Sequence, residues 1–351
     1  MIRYFRSTEC EPAARGREFG ARHAAEIRRT VELYGALFTR AAGRDVDPCP
    51  FGSAALERVR AFSATLHAEM FGLAEGAGLS PDQIGAINAR TEILAALKAS
   101  ARGECSTVVR IDPYSATSVA VQTWDWYAEF ADQWLVWEIP RADGSLVTTV
   151  TEFGIVGKVG ITNRGIGLHF NILHHARDGE GMGVPVHVLA RAVLDGNGDI
   201  NAALQLIQRT AVSASSCLTL VCVHGDASAA VAAEIYPGGL GVAFPAEDGL
   251  LVHTNHFVTA PACHHDTEPG QFPDTLVRHD LLIRRLRART LTSANVIAAM
   301  NTHLGTIGAV CCHPDPALPA IGQYATLATI VLDVAAGCLE ANPGGPCRHV
   351  A

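Results

Sequence analysis

The apolar periodicity of the chain changes at Cys105, and that change limits the folds open to it. Before it, residues 17–38 and 54–74 carry apolar side chains at three- and four-residue spacing, as helices with one buried face do. Ser80-Pro81-Asp82-Gln83 marks a helix start, with Ser80 as N-cap, Pro81 at the first helical position and Gln83 closing a capping box. The helix it opens is expected to pass through Ile84, Ile87, Ile93 and Leu97 and to end before Gly103. After Cys105, short β-favouring runs dominate: 108–111, 118–124, 133–139, 146–150, 165–173, 217–223 and 250–254, most bounded by Gly, Pro or Asp. Helical runs interrupt them at 184–194, 201–209, 275–288 and 294–302, and two last strands, 326–334 and 338–341, surround an Ala335-Ala336-Gly337 turn. Periodicity thus reads as α and β segments in one domain over residues 1–351, mostly helical in 1–104 and β-rich in 105–351.

Hydrophobic residues make up 48% and charged residues 18%, enough for a substantial core. A net charge of −8 and a pI of about 6.0 leave no footprint for nucleic acid. The densest basic cluster, Arg284-Arg285-Leu286-Arg287-Ala288-Arg289, falls in a helical run and reads as a solvated face. Met1-Ile2-Arg3-Tyr4-Phe5-Arg6 leads into polar sequence, so no secretory signal is expected, and no apolar run approaches the roughly 20 residues of a spanning helix. The ten cysteines are scattered without short regular spacings, which suits reduced thiols in a cytoplasm.

Cys105 opens a strand-like run in Gly103-Glu104-Cys105-Ser106-Thr107-Val108-Val109-Arg110-Ile111, and a second run returns to Gln122-Thr123-Trp124-Asp125-Trp126. A hairpin centred on Ser115 in the Asp112-Pro113-Tyr114-Ser115 turn places Asp125 opposite Cys105. A thiol at a strand start facing a carboxylate is what a chain needs to cut itself before that residue. The new α-amine would then act as base for its own thiol.

At these residues the chain resembles the acyl-coenzyme A:6-aminopenicillanate acyltransferase family, cysteine members of the N-terminal-nucleophile hydrolases. Four stretches carry the resemblance: Asn88-Ala89-Arg90-Thr91-Glu92-Ile93, Gly103-Glu104-Cys105-Ser106-Thr107, Gln122-Thr123-Trp124-Asp125-Trp126 and His253-Thr254-Asn255-His256-Phe257. Weaker echoes run through Asn163–Leu168 and Asn171, and through Ala325-Thr326-Leu327 to Pro343-Gly344-Gly345-Pro346-Cys347. The resemblance implies an α+β fold, a four-layer helix–sheet–sheet–helix sandwich, cleaved between Glu104 and Cys105 into chains 1–104 and 105–351. It implies Cys105 as nucleophile, Asp125 as the acidic partner of the N-terminal amine and Asn255 as an oxyanion donor. The expected reaction is amide hydrolysis or N-acyl transfer through a Cys105 thioester, on a small-molecule amide or acyl donor such as an acyl-CoA, with no cofactor, nucleic acid or membrane involved.

Two positions depart from the family pattern. Thr123 stands where the family commonly has Asn, and Cys312, in Cys311-Cys312-His313-Pro314, stands where an arginine linked with processing and substrate-carboxylate contact is usual. These departures motivate an alternative, an unprocessed or catalytically degenerate member that binds a ligand. Fifteen histidines produce adjacent groups, among them His253 and His256, His174 and His175, and Cys263-His264-His265. None has the His-Glu-x-x-His or paired Cys-x-x-Cys spacing of a zinc site, so no metal is expected. The glycine-rich stretches Gly179–Gly183 and Pro237-Gly238-Gly239 lack the strand-to-helix setting of a phosphate loop.

Overall fold

The computed structural model describes residues 2–99, 105–112, 114–196, 198–287, 292–304, 310–317, 319 and 321–349. Gly103 and Glu104, on the far side of the expected cleavage point, lie outside the described residues.

A short strand β1 (Tyr4–Arg6) precedes six helices: α1 (Pro12–Arg22), α2 (Ala24–Ala42), α3 (Cys49–Phe62), α4 (Ala64–Ala77), α5 (Pro81–Asn88) and α6 (Arg90–Ala96). Each long helix expected from periodicity is divided in two. The breaks fall at His23, at Ser63, which leaves helical geometry and caps α4 through Leu66 N–H, and at Ala89. The capping box at Ser80 and Gln83 forms as read from the sequence. Helices α1 and α4 approach closely because each presents a pair of glycines four apart. A Cβ on Gly16 would lie 2.1 Å from Glu69 O, and one on Gly72 would lie 2.2 Å from Ala13 O.

The strands that follow Cys105 are β2 (Ser106–Ile111), β3 (Ser118–Tyr127), β4 (Trp134–Pro140), β5 (Leu146–Glu152), β6 (Val159–Thr162) and β7 (Ile166–Ile172). After helices α7 (Val186–Leu194) and α8 (Ile200–Arg209) come β8 (Ser216–His224), β9 (Ala227–Tyr236), β10 (Gly239–Ala243) and β11 (Leu250–His253). Helices α9 (Glu268–Gln271), α10 (Asp274–Leu286) and α11 (Ser293–Met300) lead to β12 (Tyr324–Asp333) and β13 (Cys338–Pro343). The alanine-rich β9 was not anticipated, since alanine is a weak strand former and here gains its place by burial between neighbours.

Among the described residues these strands form two sheets. The first has the order β1-β4-β5-β6-β7-β8-β9-β10 and the second β11-β2-β3-β12-β13; all pairings are antiparallel except β1 with β4. The sheets face each other, with β2 against β7 and β9, β3 against β8 and β13 against β5 and β6. Helices α7 and α8 cover the outer face of the first sheet, while α10 and α11 cover the second. Val108, Val121, Val252 and Val331 of the second sheet pack with Leu282, Leu286, Val296 and Met300 of those two helices. The architecture is the four-layer helix–sheet–sheet–helix sandwich, α+β in class.

The N-terminal helices are tied to this sandwich by apolar and ionic contacts. Phe19 packs on Trp137 with ring centroids 4.2 Å apart. Fully buried Glu69 of α4 accepts from Arg191 of α7 at 2.9 and 3.1 Å and from Arg15 of α1 at 3.1 Å. Such a triad contributes little beyond a matched apolar packing, but losing one partner leaves a buried charge and typically costs about 3–5 kcal/mol. Polar bonds also cross between the sheets: Thr107 Oγ1 donates to Asn171 Oδ1 at 2.7 Å and Gln122 Nε2 to Phe170 O at 2.5 Å. These bonds set the facing strands in register around the start of β2.

Candidate active site

Cys105 immediately precedes β2 and is 5% exposed. Its thiol donates to the Asp125 carbonyl at a long 3.7 Å. The Cys105 carbonyl accepts from Asn171 Nδ2 and from Arg278 Nη1, each at 3.1 Å, so the main chain at Cys105 is held from β7 and from α10. Burial, and then the nearby Asp125 carboxylate, push the Cys105 thiol up to about 12, against the opposing charges of Lys158 and Arg278. In the uncleaved chain this sulfur is therefore protonated at neutral pH.

The hairpin register differs by one residue from the expectation. Ser106 pairs with Thr123 and Ile111 with Ser118, so the ladder runs Trp124, not Asp125, towards Cys105. The cause is the turn. Asp112 N–H donates to Thr117 O and Ser115 N–H to Asp112 O, each at 3.1 Å, while the Asp112 carboxylate accepts from Tyr114 N–H and the Ser115 hydroxyl. Its centre lies between Tyr114 and Ser115, whereas the sequence reading put it on Ser115. Asp125 still borders the thiol through its carbonyl and its charge, but diagonally. It pairs on its other side with Thr326 of β12, next to a bulge between Thr326 and Ala328 that breaks the ladder beside the site.

Asn255 is fully buried just after β11. Its main-chain N–H donates to Thr275 Oγ1 at 2.9 Å, and Nδ2 donates to Ile172 O at 2.9 Å. Its Oδ1 accepts from Arg278 Nη2 at 3.1 Å. Arg278 joins the parts together: besides Cys105 O and Asn255 Oδ1, it donates to Ser106 Oγ at 3.0 Å and through Nε to Asp274 Oδ2 at 3.1 Å. Only arginine supplies several donors in a rigid plane that can reach all of these at once. Sequence reading placed Arg278 on an unremarkable helix and missed it; its position four residues after Asp274 was the one local signal.

A second buried cluster lies behind the tryptophans of β3. Glu152 accepts from Lys158 Nζ at 2.6 Å and Arg90 Nη2 at 3.3 Å, and Tyr34 donates to it. Lys158 Nζ sits 3.8 Å from the Trp124 ring centroid and Arg90 Cζ 4.3 Å from that of Trp126. Burial lowers the Lys158 ammonium to about 7, with Glu152 opposing, and the Cys105 thiolate would feel both cations. The Asn88-Ala89-Arg90-Thr91-Glu92 stretch does its work through this region: Asn88 bridges Ile84 O, Gly154 O and Val156 N, and Glu92 accepts from Val186 N at 2.8 Å.

Of the departures from the family pattern, Thr123 Oγ1 accepts the Ser106 N–H at 3.2 Å and so holds the start of β2. Cys312 exchanges bonds with Thr326, its N–H to Thr326 Oγ1 at 2.9 Å and its carbonyl from Thr326 N at 3.0 Å. A guanidinium does reach Cys105, but from α10. Three of the histidines weighed as metal ligands have other partners: His253 Nε2 meets Glu234 at 2.7 Å, His174 Nδ1 meets Glu268 at 2.5 Å, and His256 meets Thr254 and Thr275 at 3.1 Å. Burial drives His256 down to about 3, so it is neutral. A cleft of about 190 Å³ lies beside the cluster, lined by Thr91, Ala95, Lys98, Ile172, His174 and Thr267, among others. Ile172 is the residue whose carbonyl holds Asn255, and Lys98 and Ala99 are the last described residues before Cys105.

Cys105 thus lies at the edge of the inner strand β2 of a helix–sheet–sheet–helix sandwich, the fold expected of the resembled class. The chain belongs to the acyl-coenzyme A:6-aminopenicillanic acid acyl-transferase family, whose profile matches residues 114–316, more than half its length. Asp125, Asn255, Arg278 and Cys312 fall inside that match and Cys105 precedes it. The 40 kDa form of acyl-coenzyme A:6-aminopenicillanic-acid-acyltransferase from Emericella nidulans is 28% identical over 214 residues, 60% of this chain and 57% of that protein. The match thus spans little more than half of that relative. Solved structures that align with this one include a Caenorhabditis elegans N-acylethanolamine-hydrolyzing acid amidase ortholog, 14% identical over 68% of this chain and all of that one. Its TM-score is 0.46. Penicillin V acylase from Agrobacterium tumefaciens is 15% identical over 68% of this chain and 83% of its own, also with a TM-score of 0.46.

Proposed function

We propose that the protein is an autoprocessed cysteine amidohydrolase or acyltransferase with Cys105 as nucleophile, Asp125 as partner of its α-amine and Asn255 as oxyanion donor. The observation that carries the reading is the convergence on Cys105 of Asn171, Arg278 and the Asp125 charge from three separate elements. In the precursor the Cys105 sulfur attacks the Glu104 carbonyl carbon. The C–N bond to Cys105 breaks, the amine leaves with a proton, and water hydrolyses the thioester to give a Glu104 carboxylate and a free thiol. The two chains, 1–104 and 105–351, stay together as one domain, because buried side chains from both form one apolar core.

The freed α-amine solves the difficulty that burial and Asp125 create for the thiol. An α-amine has an ordinary pKa of about 7.7–8.0, so its neutral form can take the thiol proton in the attack. The acyl group of an amide or acyl donor then passes to sulfur, and from sulfur to water or to an accepting amine. One N–H of the Asn255 amide is engaged by Ile172; the other is the proposed donor to the developing oxyanion. The cleft next to Ile172 is the proposed seat of the acyl portion of a small-molecule amide or acyl donor, an acyl-CoA among the candidates. Arg278 supplies a guanidinium at the nucleophile in place of the one expected at 312, which removes the main ground for a degenerate member. A reducing cytoplasm is the proposed setting, supported by ten cysteines of which none forms a disulfide among the described residues. Among those residues no helix is long and apolar enough to cross a membrane.

Denaturing mass analysis of fresh protein tests the proposal. Two polypeptides with a junction at Glu104–Cys105 are expected, and Cys105→Ala should remain one chain however long it is incubated. An intact wild-type chain that nonetheless hydrolyses N-acyl amines would refute autoprocessing. No turnover of N-acyl amines, peptides or acyl thioesters by the two-chain form would refute the enzyme reading.

A further inference from the structure

Away from the nucleophile, four side chains from three separate segments point at one another. His303 follows α11, Cys311 and His313 belong to the segment before β12, and Cys347 sits in a short 3-10 turn, Pro346–Arg348, after β13. Their ligating atoms all lie within 4.8 Å of one another. His313 Nε2 is the centre of the group: it is 3.1 Å from His303 Nε2, 3.4 Å from Cys311 Sγ and 3.5 Å from Cys347 Sγ.

Hydrogen bonds to His313 Nε2 cannot account for all three of these contacts. One imidazole nitrogen carries either one proton or one lone pair, so it can satisfy one of these three neighbours and not all of them. A central cation can satisfy all four. Zinc bonds of about 2.3 Å to sulfur and 2.0–2.1 Å to nitrogen, at tetrahedral angles, put neighbouring ligand nitrogens about 3.3 Å apart and sulfur about 3.5 Å from nitrogen. The observed separations agree with both. Two thiolates and two imidazoles are also the donor set that favours zinc over magnesium or calcium.

We propose that His303, Cys311, His313 and Cys347 form a structural zinc site. The two thiols release their protons on binding, so a divalent ion leaves the site neutral. Four protein ligands close the coordination sphere and leave no open position for substrate, which makes the role structural. Its effect is to clamp the end of α11 and the turn after β13 to the segment around residues 311–313. Cys312 in that segment bonds Thr326, and Thr326 is the ladder partner of Asp125, so the clamp braces the strand beside the proposed nucleophile. Sequence spacing concealed the set, because the four ligands are dispersed over residues 303–347 with no pair in a standard interval.

The test is metal content of the full chain purified under reducing conditions, followed by removal with a chelator and titration with Co²⁺. One zinc per chain is expected as isolated, and one Co²⁺ per chain should give tetrahedral d–d bands with thiolate-to-cobalt charge transfer. Cys347→Ser and His303→Ala, both altering ligands near the surface, should each weaken binding by more than about 100-fold, since even partners of metal ligands account for 10–100-fold. Cys338→Ser, an exposed cysteine outside the group, should bind as the parent does. Substoichiometric binding without charge-transfer bands, equal binding by parent and ligand variants, or a Cys311–Cys347 disulfide in the reduced preparation would each overturn the proposal.

Discussion

Replacing Arg278 by methionine probes whether the guanidinium from α10 organises the surroundings of Cys105, the proposed nucleophile. The change keeps an unbranched stem of similar reach but removes every donor. It strips the paired cation from Asp274 and takes one donor each from Cys105 O, Ser106 Oγ and Asn255 Oδ1. Arg278 is fully buried, so the cost falls in the range for breaking a buried ion pair, about 3–5 kcal/mol. Unfolding entropy of about 2.1 cal/mol/K per residue gives about 0.7 kcal/mol/K for a chain of this length, so the melting temperature should fall by roughly 4–7 °C. Differential scanning calorimetry of both proteins in the Cys105→Ala background measures this without interference from cleavage. Processing, followed by denaturing mass spectrometry, should slow in Arg278→Met and also in Arg278→Lys, which retains the charge beside Asp274 but cannot bridge Cys105 and Asn255. An Arg278→Met protein that melts and cleaves like the parent would show that these four bonds organise nothing, and the site assembled around Cys105 would have to be redrawn.

Asn255→Ala should fold and lose roughly 10²–10³-fold in turnover, the usual effect of one lost oxyanion donor; near-parental turnover would remove Asn255 from the site. Asp125→Asn, made with residues 105–351 co-expressed beside 1–104, should move the rising limb of kcat/KM to lower pH. The Asp125 charge both raises the thiol and favours the protonated amine. A profile overlaying the parent's would place Asp125 away from the reacting groups. Lys158, lowered to about 7 by burial, holds fewer protons folded than unfolded between about pH 7 and its ordinary 10.5. Its contribution to stability therefore rises as pH rises through that window, and the difference in melting temperature between parent and Lys158→Met should shift in the parent's favour from pH 7 upward. A difference independent of pH would mean that Lys158 is not held at a lowered pKa.

Features decided by neighbouring residues were open to inspection in the chain itself. The capping box at Ser80, the change from helical to alternating periodicity at Cys105, and the clustering of Asp125 and Asn255 in short distinctive stretches are local, and the folded protein carries each of them. Turn geometry is also local but finer. Whether the Asp112–Thr117 loop centres on a residue or between two is decided by the Asp112 side chain taking up Tyr114 and Ser115, and a shift of one residue there moved Asp125 off the position directly facing Cys105.

Other parts of the site became visible only once the two sheets were packed. Asn171 lies 66 residues from the carbonyl it holds and Arg278 lies 173 residues from the same atom. Both side chains are brought there by the facing of β2 on β7 and the seating of α10 on the second sheet. A helix run with a basic face gives no hint that one arginine turns inward, because that choice is made by what lies beneath it. The same holds for His303, Cys311, His313 and Cys347, which no interval in the chain links. The sequence by itself determined which elements form and which residue types could do chemistry. Tertiary packing decided which of them meet, since hydrogen-bond and ligand geometry depends on distances in space that sheet stacking sets and residue spacing does not.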